Sequence, residues 1–384
     1  MKTILTLFGT RPEIIKLAPV MWALERRRAR LASMNVCSSQ HTDLLRPFIR
    51  ELGVRIDHDL EVMTPSQTLA DVLVRVVGAM ATLIEQRRPD LVLVQGDTAT
   101  AIAGALAAFY ARVPVGHVEA GLRTNDRYSP FPEEINRRLI TQVAELHFAA
   151  TPGNVANLRS EGVPEENIAL TGNTVVDALQ RIVATSRPSA ALQDVLERVG
   201  ARRMIALTTH RRENFGDVMT GHLRALQRFI GRHEDLALVF PVHPNPSVRR
   251  VVHAEFRDAA NIHCIDPLEY ADFLQLLSRA WLIVSDSGGV QEEAPSLGKP
   301  LLVLRDTTER PEVLESGIGR LVGHSGERLE QMLEEALADT EWAARVRTLP
   351  NPFGGGAAGE SILDVIEDYL ASRHRPSHPS EGAG

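Results

Sequence analysis

One feature constrains the fold more than any other: short, wholly apolar runs alternate with longer stretches of helical spacing. The runs Ile4–Phe8, Leu91–Val94, Val113–His117, Met204–Thr208, Ala237–Phe240, Trp281–Val284 and Leu301–Leu304 have the length of strands. Leu91-Val92-Leu93-Val94 shows no polar alternation, the pattern of a strand buried on both faces of a sheet. Amphipathic stretches such as Leu69–Gln86 and Val218–Arg232 lie between the runs. Strands alternating with helices predict βαβ units and parallel sheets, and so an α/β fold.

With 384 residues the chain exceeds one ordinary domain and suits two of roughly 150–200 residues each. The small, polar stretch Thr185–Ala191 interrupts the alternation, which restarts at Met204. The expected division is a first domain over residues 1–185, a second over 186–357, and a helix at about 358–373 packing back on the first. Residues 374–384 carry no apolar pattern and are expected to form a mobile tail. A net charge of −7 does not indicate a nucleic-acid surface. The N-terminal apolar run is too short for a signal peptide and is broken by Gly9-Thr10-Arg11-Pro12. No apolar run reaches the roughly 18 residues of a membrane span. Cys37 and Cys264, without metal-ligand spacing, point to a reducing compartment rather than a disulfide framework.

In two facing open α/β domains a ligand sits outside the carboxyl ends of the strands. The charged, glycine-rich segments fall at those ends. Gly9-Thr10-Arg11-Pro12-Glu13 and Lys16 follow the first run, where Arg11 and Lys16 suit a phosphate at a helix N-terminus or form a solvated basic pair. No G-x-G-x-x-G pattern supports a dinucleotide cofactor. Asp97 ends the next run and serves either the chemistry or a turn, with Thr98 placed to cap the helix Ala99–Tyr110. Glu119 precedes a glycine turn, and Glu133 opens a helix whose dipole alone could explain it. Asp97, Glu119 and Glu133 could open into one cleft, where crowded like charges raise each other's pKa and tune one for proton transfer. In the second half, His210 and Arg211 end a strand and suit phosphate, or a solvated turn. Ser285-Asp286-Ser287-Gly288-Gly289 opens a helix that could hold a phosphate, with Glu293 placed for ribose hydroxyls. Arg310 lies in a polar cluster after the last run. Phe273 fits either a ligand's base or the apolar face of its own helix.

Together, Phe8–Glu13, Gln95–Thr98, His117–Thr124, Ser129–Arg137, Thr209–Asn214, Pro241–His243 and Ser285–Arg310 resemble the non-hydrolysing UDP-N-acetylglucosamine 2-epimerases, in that family's order over about residues 3–370. The resemblance implies a GT-B-like fold, two Rossmann-like domains facing a central cleft. It implies reversible inversion at C2 of UDP-GlcNAc to UDP-ManNAc through bound UDP and 2-acetamidoglucal, without cofactor or metal. It implies a cytoplasmic homodimer whose partners are UDP-GlcNAc and UDP, not nucleic acid or membrane. Carried over by position, Asp97, Glu119, Glu133 and His210 match catalytic residues. Arg11, Lys16, Phe273, Ser287, Gly288, Glu293 and Arg310 match substrate-binding residues.

Many family members bind a second UDP-GlcNAc as an activator. Gln40, Arg211 and His243 match that pattern, but Asp43 replaces a glutamine and Ser66 an arginine. Loss of a charge-assisted contact costs about 1.5–3 kcal/mol, so activation is expected to be weak or absent. Competing readings are an epimerase for a diacetamido-uronic acid, a hydrolysing epimerase releasing ManNAc, a GT-B glycosyltransferase and a non-catalytic sensor.

Overall fold

The computed structural model describes residues 1–38, 42–64, 67–209, 216–257 and 259–372. Gln40, Ser66, His210, Arg211 and the C-terminal tail lie outside these residues. Two units are distinguished by their internal contacts: residues 1–174 with the segment from Gly356, and residues 175–355.

The first unit is built on seven strands: β1 (Lys2–Phe8), β2 (Leu31–Cys37), β3 (His58–Asp59), β4 (Leu91–Gln95), β5 (Val115–Ala120), β6 (Leu146–Ala149) and β7 (Ile168–Leu170). They lie in the order β3-β2-β1-β4-β5-β6-β7, all parallel. The order reverses between β1 and β4, so their carboxyl ends form the topological switch point where open sheets take ligands. All five residues of β4 are buried, as its unbroken apolar run requires.

Local chemistry sets the helices that follow. The helix Arg11–Arg26 has proline in its first turn. The helix Ala99–Tyr110 is capped by Thr98, whose hydroxyl accepts from the Ala101 N–H at 3.0 Å. The helix Ala358–Ser372 packs on Arg11–Arg26 so closely that a Cβ on Gly359 would sit 2.7 Å from the Pro19 carbonyl oxygen. Arg26 and Arg27 pair with Glu360 along this seam, and Arg27 also meets Asp364 at 2.7 Å.

The second unit holds six parallel strands, β8 (Arg203–Thr208), β9 (Leu236–Pro241), β10 (Ile262–Ile265), β11 (Leu282–Ser285), β12 (Leu301–Val303) and β13 (Gly319–Leu321). Their order is β10-β9-β8-β11-β12-β13, with the reversal between β8 and β11. Its core gathers Phe229, Phe240, Leu226, Leu238, Leu282 and Leu333, all fully buried.

The expected strands match their sequence-based limits to within one or two residues, except β5. A run ending at His117 was expected, yet β5 starts after Pro114, which lacks a ladder donor, and continues through Glu119 to Ala120. The charged Glu119 conceals this extension in the sequence. Among the described residues, no helix is long and apolar enough to cross a membrane.

Candidate active site

In the first unit, chemistry-bearing side chains collect at the carboxyl ends of β1, β4 and β5. Gly9 follows β1 where a Cβ would lie 2.1 Å from Ser38 Oγ and 2.5 Å from Thr100 Oγ1, so only glycine fits. From the first helical turn, the Glu13 carboxylate reaches back. It accepts from the Gly9 N–H at 3.0 Å, the Thr10 hydroxyl at 2.8 Å and the Thr98 hydroxyl at 2.6 Å. It thereby ties the β1 loop to the β4 loop. Burial pushes the Glu13 carboxyl up to about 6, against the opposing pull of these hydrogen bonds. No role for Glu13 is evident from the sequence. Its one signal was a carboxylate beside the apolar pair Ile14-Ile15.

Lys16, one turn further on, is 9% exposed and forms an ion pair with Glu119. The other Glu119 oxygen accepts from the Gln95 amide. Glu119 has φ +64°, and the β5–β6 register shifts between Val118 and Ala120. A left-handed non-glycine residue is a strained position of the kind that gathers at functional sites.

Asp97 is held twice, its carboxylate by Arg137 Nε and its carbonyl by Asn136 Nδ2, each at 2.7 Å. The N-cap of the helix that follows is Thr98, as expected. Glu133 begins the helix Glu133–Val143, and its buried Oε2 has no hydrogen-bond partner among the described residues. Glu134 is fully buried and accepts from the Thr124 N–H at 3.0 Å, the Asn125 N–H at 3.3 Å and Arg138 Nε at 3.1 Å. Burial opposes its ionisation, but the Thr124 and Arg138 hydrogen bonds prevail and hold the carboxyl below its usual range. His117 is fully buried and donates from Nε2 to the Gly96 carbonyl at 2.8 Å. Burial pushes it down to about 3, so it is a neutral buttress for the Gly96-Asp97 turn. The expected crowding of like charges is relieved, because Asp97 and Glu119 each have a cation of their own. Arg11 is exposed, with its guanidinium 5.4 Å from the Phe48 ring centroid.

The second unit presents a separate cluster at the carboxyl ends of β8 and β11. Asp286 is fully buried and accepts from the Thr209 hydroxyl at 2.8 Å. Ser287 precedes the helix Gly288–Ser296 and makes no side-chain cap bond, which leaves that N-terminus suited to an anion. Glu293 accepts from the Tyr270 hydroxyl at 2.8 Å. Arg310 donates to Glu292 at 2.7 Å and to Glu309 at 3.3 Å. Phe273, in the first turn of the helix Tyr270–Arg279, is half-buried, whereas Leu274, Leu276 and Leu277 enter the core. His243 follows β9, is exposed, and accepts at Nδ1 from the Asn245 N–H at 3.2 Å. Among the described residues, no group of three or more His, Cys, Asp or Glu could hold a metal ion.

A family model, that of UDP-N-acetylglucosamine 2-epimerase, matches residues 23–367. The chain belongs to this family. It is 44% identical to the UDP-N-acetylglucosamine 2-epimerase of Bacillus subtilis strain 168, over 94% of each chain. The solved structure of S. aureus MnaA with UDP superposes with a TM-score of 0.88 at 40% identity, covering 98% of this chain and 99% of that one. The UDP-GlcNAc 2-epimerase of Neisseria meningitidis, solved with UDP-GlcNAc, gives 0.86 at 38% identity over 95% and 100%. The fold is therefore GT-B-like.

Proposed function

We propose that this chain is a non-hydrolysing 2-epimerase that interconverts UDP-GlcNAc and UDP-ManNAc. The observation that carries this reading is Glu119. It is a strained, left-handed carboxylate at the switch-point end of the first sheet, fixed by Lys16 and Gln95. Whole-length similarity to epimerases named for this reaction supports it.

The C2 proton of UDP-GlcNAc is weakly acidic, so it is lost as UDP departs. The C1–O bond breaks with its electron pair going to UDP, and the C2–H pair becomes the C1=C2 bond of 2-acetamidoglucal. UDP then re-adds at C1 while a proton reaches the opposite face of C2. Two differently placed acid/base groups serve the two faces. Glu119, Glu133 and Asp97 supply them as a set. Glu133, whose buried oxygen lacks a partner among the described residues, is the member with capacity to carry a proton. In the second unit, the Ser287–Gly288 N-terminus and His210 stabilise the leaving diphosphate. Glu293 takes the ribose, and Phe273 takes the uracil. Lys16 and Arg310 act through the carboxylates they hold. The resemblance favours a cytoplasmic homodimer, and Cys37 and Cys264, which share no disulfide, suit a reducing compartment.

Proton NMR with UDP-GlcNAc in D2O tests the reading. UDP-ManNAc carrying deuterium at C2, without free ManNAc, is expected. Free ManNAc with UDP would instead assign a hydrolysing enzyme. No turnover would redirect the search to UDP-sugars altered at C3 or C6.

A further inference from the structure

The amino end of the second sheet carries a cationic cavity of about 260 Å³. Arg202, Arg203, Arg279, Lys299 and Arg347 line it, where β8, β11 and β12 begin. This is the opposite end of those strands from Thr209, Asp286 and Ser287. The cations are poorly compensated. Arg203 pairs with Asp235 at 2.6 Å. Arg202 donates to the carbonyls of Glu234 and Val199, and Arg279 to the carbonyl and side chain of Gln275. Among the described residues, no carboxylate pairs with Arg202, Arg279, Lys299 or Arg347. Lys299 is 8% exposed and donates to the Ala280 carbonyl at 2.8 Å. Burial first, and then the Arg347 and Arg279 charges, push it down to about 8. Such a group of like charges is relieved by an anion.

A second cavity of about 290 Å³ adjoins the first, sharing Arg203, Trp281, Ala343 and Arg347, and is apolar along Ala336, Leu337 and Ala344. The Arg203 guanidinium lies 5.0 Å from the Trp281 ring centroid, so the indole stands between a cationic lobe and an apolar one.

We propose that this pole of the second unit binds an organic phosphate, its phosphoryl group among Lys299, Arg279 and Arg347 and its planar ring against Trp281 in the apolar lobe. The site is separate from the epimerase chemistry and does not depend on it. Arginine forks and a lysine suit phosphate oxygens, and an aromatic floor suits a heterocycle. Basic residues also balance helix C-termini, which explains Arg279 and Arg347 in their last turns but not the buried Lys299 or the shared indole.

Adenosine monophosphate is a suitable probe, with nitrogen-15 NMR of the indole N–H signals of Trp22, Trp281 and Trp342 as the readout. The Trp281 signal, assigned with Trp281→Phe, should shift saturably, while adenosine alone leaves it in place and inorganic phosphate acts more weakly. The exposed substitution Arg347→Glu should weaken binding at least about tenfold without altering epimerisation, and Lys299→Met should do the same if it folds. Absence of a Trp281 shift, or an affinity unchanged in Arg347→Glu, would overturn the proposal and leave the cluster as helix-end electrostatics.

Discussion

Glu119 illustrates what one residue contributes. Its side chain is shared between Lys16 and Gln95, and its backbone has a φ that glycine would adopt at lower cost. Glu119→Gln should lower kcat by about 10²–10⁴ with little change in melting temperature. A KM effect alone would reduce the residue to a binding contact. Glu13 makes a different prediction. Its folded-state value of about 6 lies above the unfolded 4.5, so its contribution is complete below pH 4.5 and is lost as pH rises through 6. The change amounts to about 2 kcal/mol. Urea unfolding of Glu13→Gln against pH should show this loss removed; an unchanged slope would mean that the carboxyl is not desolvated. Asp43 and Ser66, standing where activated family members have glutamine and arginine, predict hyperbolic rather than sigmoidal dependence on UDP-GlcNAc.

At the scale of elements, the site depends on how helices leave the strands. Thr98 both caps the helix Ala99–Tyr110 and donates to Glu13. Thr98→Ala should therefore cost about 1–2 kcal/mol, and Thr98→Ser should recover most of it, measured by chemical denaturation. Close helix crossings are equally exposed to change. A Cβ on Gly326 would lie 2.4 Å from the Gly221 carbonyl oxygen, between the helices Gly326–Ala338 and Asp217–Arg232. Gly326→Ala should destabilise the second unit by about 1–3 kcal/mol.

For the whole molecule, buried histidines contribute to the acid limb of stability. Burial holds His117 down to about 3 and His222 down to about 4, both below the ordinary 6.5. Their contribution is present above pH 6.5 and is lost as pH falls toward those values, because the unfolded chain takes up protons first. His117→Gln with His222→Gln should flatten the fall in stability below pH 6.5; an unaltered acid transition would count against burial as its cause. Glu13 acts with the opposite sign, so the two effects separate by substitution.

The sequence by itself determined the α/β class, the parallel strands and the family. Apolar runs, helical spacing and contiguous motifs are properties of neighbouring residues. It also placed Thr98 as a cap and Glu133 at a helix start, because capping acts over three or four positions. Only the tertiary structure decided the partners. Lys16 meets Glu119 across 103 residues and Arg137 meets Asp97 across 40, because the strand order sets β1, β4 and β5 side by side. The left-handed turn at Glu119, the desolvation of Glu13 and the convergence of Lys299 with Arg347 have no local signature. Each arises from what the fold packs around a residue, which spacing along the chain does not encode.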